Sequence, residues 1–252
     1  MKDSLKQEVF KFRHQGIPYY GVVALFLLML YTAVSGKVDP AIISMGFGAG
    51  QWIVIILITV ASTFVAMEYK NNTIVTLFFK HSRKLNIYLA KFIVVVVYGF
   101  ILTIFGIVFT FLMKQVLVGN KYHWFSISLR HETLLNSLLL NTSGALVYLL
   151  FIAALAFFLI TLIRVNAAVI GIGLAIGFLG LDISSAFITA FPVLTMITKW
   201  NPLNMISVMG QLADSSYIRF SLLSSSQLIC GNLIYTVIFL ISGYFLFKKK
   251  HV

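Results

Sequence analysis

The chain has 252 residues, of which 60% are hydrophobic and 10% charged, against about 25% charged in a soluble domain. With a mean hydropathy of +0.98, it cannot clothe a core in polar surface, so a soluble enzyme, a disordered tail and a secreted disulfide scaffold are excluded as readings of the whole. A polytopic membrane protein is left, with apolar content for roughly six spans of about 20 residues, and the net charge of +12 points to basic loops against anionic lipid rather than to nucleic acid.

Residues 1–16 read as a short basic helix lying on the inner membrane surface. Met1, Leu5, Val9 and Phe12 fall on one face, Lys2, Lys6, Lys11 and Arg13 surround it, and Ser4 with Gln7 forms a capping box. The first span covers 17–34 and the second 43–66. The second contains Gly46-Phe47-Gly48-Ala49-Gly50, where Gly46 and Gly50 have the small-xxx-small spacing of close helix packing. A nucleotide-binding reading of these glycines lacks the preceding strand and the following Lys-Ser/Thr.

Residues 67–84 form a polar inner loop interrupted by an apolar stretch, Ile74 to Phe79. Asn71-Asn72-Thr73 can cap a short helix there, and its aromatic face suits either a partner's groove or the membrane interface. The third span covers 85–113, and 114–141 is expected to be an outer polar loop. The fourth span (142–163) and the fifth (167–192) are joined by a short turn at Arg164-Val165-Asn166. Gly171, Gly173 and Gly177 on the fifth span permit close approach of a second copy. Asn201 and Pro202 are placed to cap and open a short helix in the outer segment before the sixth span, with Leu203, Ile206 and Met209 on one face. The sixth span, 227–247, carries Cys230, and a single cysteine rules out an internal disulfide.

With both termini inside, Lys37, Lys114, Lys121, Arg130, Lys199 and Arg219 fall outside and the other thirteen of the 19 basic residues fall inside, so the charge bias supports six spans with cytoplasmic ends. No Walker A, HExxH or Ca-loop pattern occurs, and the spans hold neither histidine nor paired carboxylates. Catalysis within the membrane therefore has no acid–base equipment. His123, His131 and Glu132 lack a recognised metal-ligand spacing. Asp182 is the acid placed inside a span. It reads either as part of a substrate pathway or as a solvated helix end.

The order Glu68, Thr73, Ser82-Arg83 and Lys91, set between the second and third of six spans, resembles the permeases of ABC-2-type transporters. Lys80 stands where that family often has Pro. The layout of the whole chain is similar as well, from the amphipathic N-terminal helix to the structured outer segment. The resemblance implies an all-α integral membrane protein forming one ABC-2-type transmembrane domain over 1–252. It implies a cytoplasmic coupling helix between the second and third spans and re-entrant outer helices between the fifth and sixth. Glu68, Asn72, Thr73, Leu77, Phe78 and Arg83 would couple the chain to an ATP-binding cassette ATPase. The chain itself would bind no cofactor, with ATP and Mg held by that ATPase. A second copy or a sister permease would complete the complex in a bacterial cell membrane. The Lys-, Ile-, Phe- and Asn-rich composition looks like that of a low-GC Gram-positive bacterium. Exporters of phenol-soluble modulins or antimicrobial peptides are the nearest kind, and the substrates would be hydrophobic or amphipathic. A secondary carrier or channel working without an ATPase is the alternative.

Overall fold

The computed structural model describes residues 1–70, 84–129 and 132–248. Six helices in it are long and apolar enough to cross a membrane. After α1 (Lys2–His14) come α2 (Ile17–Val34), α3 (Ala49–Lys70), α4 (Lys84–Leu117), α5 (Leu134–Ile163), α6 (Asn166–Ala190) and α7 (Ser225–Lys248). A small antiparallel hairpin, β1 (Ile127–Leu129) and β2 (Glu132–Thr133), precedes α5.

The hub is α5, which packs on α3, α4 and α7 and is the most buried of the six. Its inward face is mostly small and aromatic: Ala153, Ala154 and Ala156 let neighbours close in, while Tyr148, Phe151 and Phe157 fill the space between them. By contrast, α2, α6 and α7 leave most of their apolar surface outward. That pattern suits hydrocarbon, because lipid is as acceptable to Leu, Val and Phe as a protein core.

Several boundaries differ from the sequence reading. The second span does not run unbroken from residue 43. A short helix, Pro40–Ser44, capped by Asp39, is followed by Gly46, Phe47 and Gly48, all at positive φ (59°, 50° and 78°). Three successive left-handed residues cannot belong to a right-handed helix, so α3 starts at Ala49. The fourth span starts at Leu134, inside the expected polar loop. Thr133 accepts the Asn136 N–H, which caps α5, and Leu134 and Leu138 are buried. The third span runs on to Leu117 because the buried Lys114 ammonium is satisfied locally. It donates to the Gly119 carbonyl at 2.8 Å and lies over the Trp124 ring. The expected capping box at Ser4 is absent: Ser4 lies inside α1 and is buried, and Met1 is the cap position.

Between α6 and α7 the chain forms short helices that fold back against α5 and α6. Asn201 caps the one starting at Pro202, accepting the Asn204 N–H. Pro202–Ser207 is a tight 3-10 turn rather than an α-helix, so Met205, Ile206 and Val208 are buried while Leu203 and Met209 are only partly so. Polar side chains lock the segment. Asn204 donates to the Lys199 and Ser221 carbonyls, Asn232 of α7 to the Met205 carbonyl, and Gln211 to the Leu223 carbonyl.

Candidate functional site: a buried charge cluster at one end of the helices

Two acids and two bases that the sequence scatters along the chain meet at one end of the molecule. Lys91, two turns into α4, is 2% exposed. A lysine at such a position needs an anionic partner, and it has two. Its Nζ lies 2.6 Å from Glu8 Oε2 of α1 and 3.0 Å from Glu68 Oε1 near the end of α3. Lys11, one turn beyond Glu8, completes the ring at 2.9 Å from Glu68 Oε1 and 3.4 Å from Glu8 Oε1. Two carboxylates and two ammonium groups balance, which is the condition for keeping charges out of water. Lys91 Nζ also lies 4.3 Å from the Phe64 ring centroid, a cation–π contact.

Local chain chemistry puts each group there. In α1, Ser4, Glu8 and Phe12 recur every four residues and form the buried face. The expected apolar face is split: Phe12 turns inward, while Met1 and Val9 are exposed. Phe12 packs edge-on against Phe64 of α3 and Tyr98 of α4, each at 5.2 Å between centroids. The Tyr98 hydroxyl donates to the Pro18 carbonyl at 2.9 Å and covers Gly21, where any side chain would collide with it. The N-terminal helix is thus held by one aromatic group and one ion cluster.

The Lys11 ammonium is pulled in opposite directions. Burial, the largest single influence, lowers its pKa, but hydrogen bonding and charge from Glu68 and Glu8 together more than reverse this, leaving it above the ordinary 10.5.

Other contacts show what shares this end. Asn166, at the start of α6, donates to Thr63 of α3 at 3.1 Å. Lys84, at the start of α4, donates to the Lys248 carbonyl at the end of α7 at 3.5 Å. The α1 helix, the α5–α6 turn, the last described residue of α7, the last turns of α3 and the start of α4 therefore share this end.

Of the residues singled out from sequence, Glu68 is in the cluster. Asn72, Thr73, Leu77, Phe78 and Arg83 lie outside the described residues. Gly173 and Gly177 are buried against Ile58 and Ile55 of α3 in the same chain, whereas Gly171 is exposed with nothing within 4 Å. Asp182 is exposed on α6 and borders a cavity far from the charge cluster. Among the described residues no three His, Cys, Asp or Glu side chains converge to hold a metal; His131 lies outside them.

Sequence reasoning missed Glu8. It reads as one more charge on a solvated helix. The available signal was Lys91, a lysine seven residues into an apolar run, which demands an acid from elsewhere in the chain.

No curated protein matches the chain. The chain belongs to the family described as "Protein of unknown function (DUF2705)", whose model matches residues 7–252.

Proposed function

We propose that this chain is the transmembrane permease subunit of an ATP-driven ABC exporter in a bacterial cell membrane, with both termini in the cytoplasm. In this reading a separate ATP-binding subunit hydrolyses ATP with Mg, and a second permease, identical or sister, completes the pathway. Hydrophobic or amphipathic substrates leave the cell through it, and the segment between α6 and α7 is re-entrant from the outer side.

The supporting observation is the charge cluster. Glu68 sits three residues before 71–83, and Lys91 sits eight residues after it. They pair with each other, and each holds one member of the α1 ion pair: Glu68 binds Lys11 and Lys91 binds Glu8. A push on 71–83 would reach α3 and α4 through a largely buried ion-paired joint that also carries α1. That is what a rigid-body switch between inward and outward states requires. The apolar residues Ile74 to Phe79 within the segment supply the kind of surface that docks in a partner's groove.

The test is Phe78→Glu in the full complex. The expected result is loss of ATPase co-purification and of export, with the permease still inserted. Retention of both overturns the coupling role. Export that continues in vesicles without ATP points instead to a secondary carrier or channel.

A further inference from the structure

A cavity of about 360 Å³ opens between α3, α4, α5, α6 and the short helices before α7. On α4 it is lined from Thr103 to Thr110, about 18 to 28 Å along the helix from Lys91 at 1.5 Å per residue. It is thus a site apart from the charge cluster. Its size falls within the range of small-molecule pockets, at the lower end.

The polar groups of its wall are unevenly used. The hydroxyls of Thr103, Thr110 and Thr142 donate to the carbonyls four residues back, at 3.0, 2.7 and 2.8 Å. The Ser207 hydroxyl donates to Asn204 Oδ1. The side-chain amides of Gln51 and Asn141 donate to the Gly177 and Ser44 carbonyls, and the Gly48 N–H is taken by the Met45 carbonyl. The protons of these four Thr and Ser hydroxyls and one hydrogen of each amide are spent on the protein, so these groups offer mainly oxygen lone pairs, with a second hydrogen left on each amide. Asp182 adds a carboxylate that makes no ion pair among the described residues. Among the described residues no Lys, Arg or His lines the cavity. Tyr217 adds a phenol hydroxyl, and most of the rest of the wall, including Ile53, Ile107, Leu138 and Ile206, is apolar.

An acceptor-rich, anionic pocket with apolar walls fits one kind of molecule. We propose that this cavity binds an amphiphilic monocation, an ammonium on a short apolar body. Asp182 neutralises the ammonium, the wall oxygens accept its N–H groups, and the aliphatic wall covers the body. The same chemistry is offered by a free amine and by an aminolipid headgroup.

The experiment measures binding of radiolabelled 4-phenylbutylammonium to the full chain in phosphatidylglycerol nanodiscs, with empty nanodiscs subtracted. Saturable binding is expected, with 4-phenylbutanol a poor competitor. Asp182→Asn should weaken binding about tenfold or more, the size of a lost charge-assisted hydrogen bond. Asp3→Asn, an acid on exposed α1 surface, should leave it unchanged. Thr142→Phe, which fills the cavity, should abolish it while thermal unfolding of the protein stays cooperative. Equal competition by the alcohol, or undiminished binding in Asp182→Asn, overturns the proposal. Competition by added phosphatidylethanolamine would name a headgroup as the source, and its absence a free amine; each result upholds the site. The assay contains no ATPase, so its outcome is independent of the Phe78 test.

Discussion

Lys91 of α4 and Glu8 of α1 stand 83 positions apart in sequence and 2.6 Å apart in space, each 2% exposed. Their attraction is traded against the desolvation of both, so the pair contributes little net stability compared with an apolar pair of similar shape. Removing one member, however, strands the other out of water.

Lys91→Met is therefore expected to cost about 3–5 kcal/mol, and Glu8→Gln a comparable amount. The double variant should cost less than the two together, by roughly 1–3 kcal/mol. Thermal unfolding of the four proteins in one detergent measures this coupling. Strict additivity would mean that the two residues do not act as a unit.

Lys11 gives a pH signature. Its ammonium is held above the ordinary 10.5 in the folded protein. A group with a raised folded pKa contributes stability that is complete below the unfolded value and is lost as pH rises through the folded value. The stability difference between wild type and Lys11→Met should thus be flat from about pH 7 to 9 and shrink only on the alkaline side of 10.5. A difference that already fades between about pH 7 and 8 would contradict the assigned contacts.

Gly144 of α5 lies against the backbone of Val208 and Met209, and a Cβ there would strike the Val208 carbonyl. Backbone cannot yield as a side-chain tip can, so Gly144→Val should displace the short helices and lower the unfolding temperature by several degrees. Gly171→Val, where nothing lies within 4 Å, serves as the control and should be close to neutral in the isolated chain. A neutral Gly144→Val would mean that the segment does not rest on α5.

The six apolar helices were legible because a membrane imposes long runs with few charges, and that signal survives errors in detail. The edges were harder. Thr133 and Asn136 look like loop residues until one is seen capping the other, and Gly46-Phe47-Gly48 looks like helix packing until its φ angles are known. Phe12 was assigned to an apolar face lying on the membrane surface, whereas it packs on the spans. Glu8 was invisible because its buried partner, Lys91, comes from another helix 83 positions away. The cavity around Asp182 is built from five separate stretches of chain, so no local pattern could announce its volume or its excess of acceptors.

The clamp on α1 also constrains how the protein is made. Glu8 and Lys11 leave the ribosome long before Lys91 and Glu68 exist as their partners. Throughout that interval the N-terminal helix has no seat, and α2 and α3 must enter the bilayer without it. Seating is completed only when the start of α4 arrives, so a nascent chain ending before Lys91 should leave its first helix open to protease. Closure of the ion cluster thus reports that α2 and α3 are in place and that α4 has begun to enter in register.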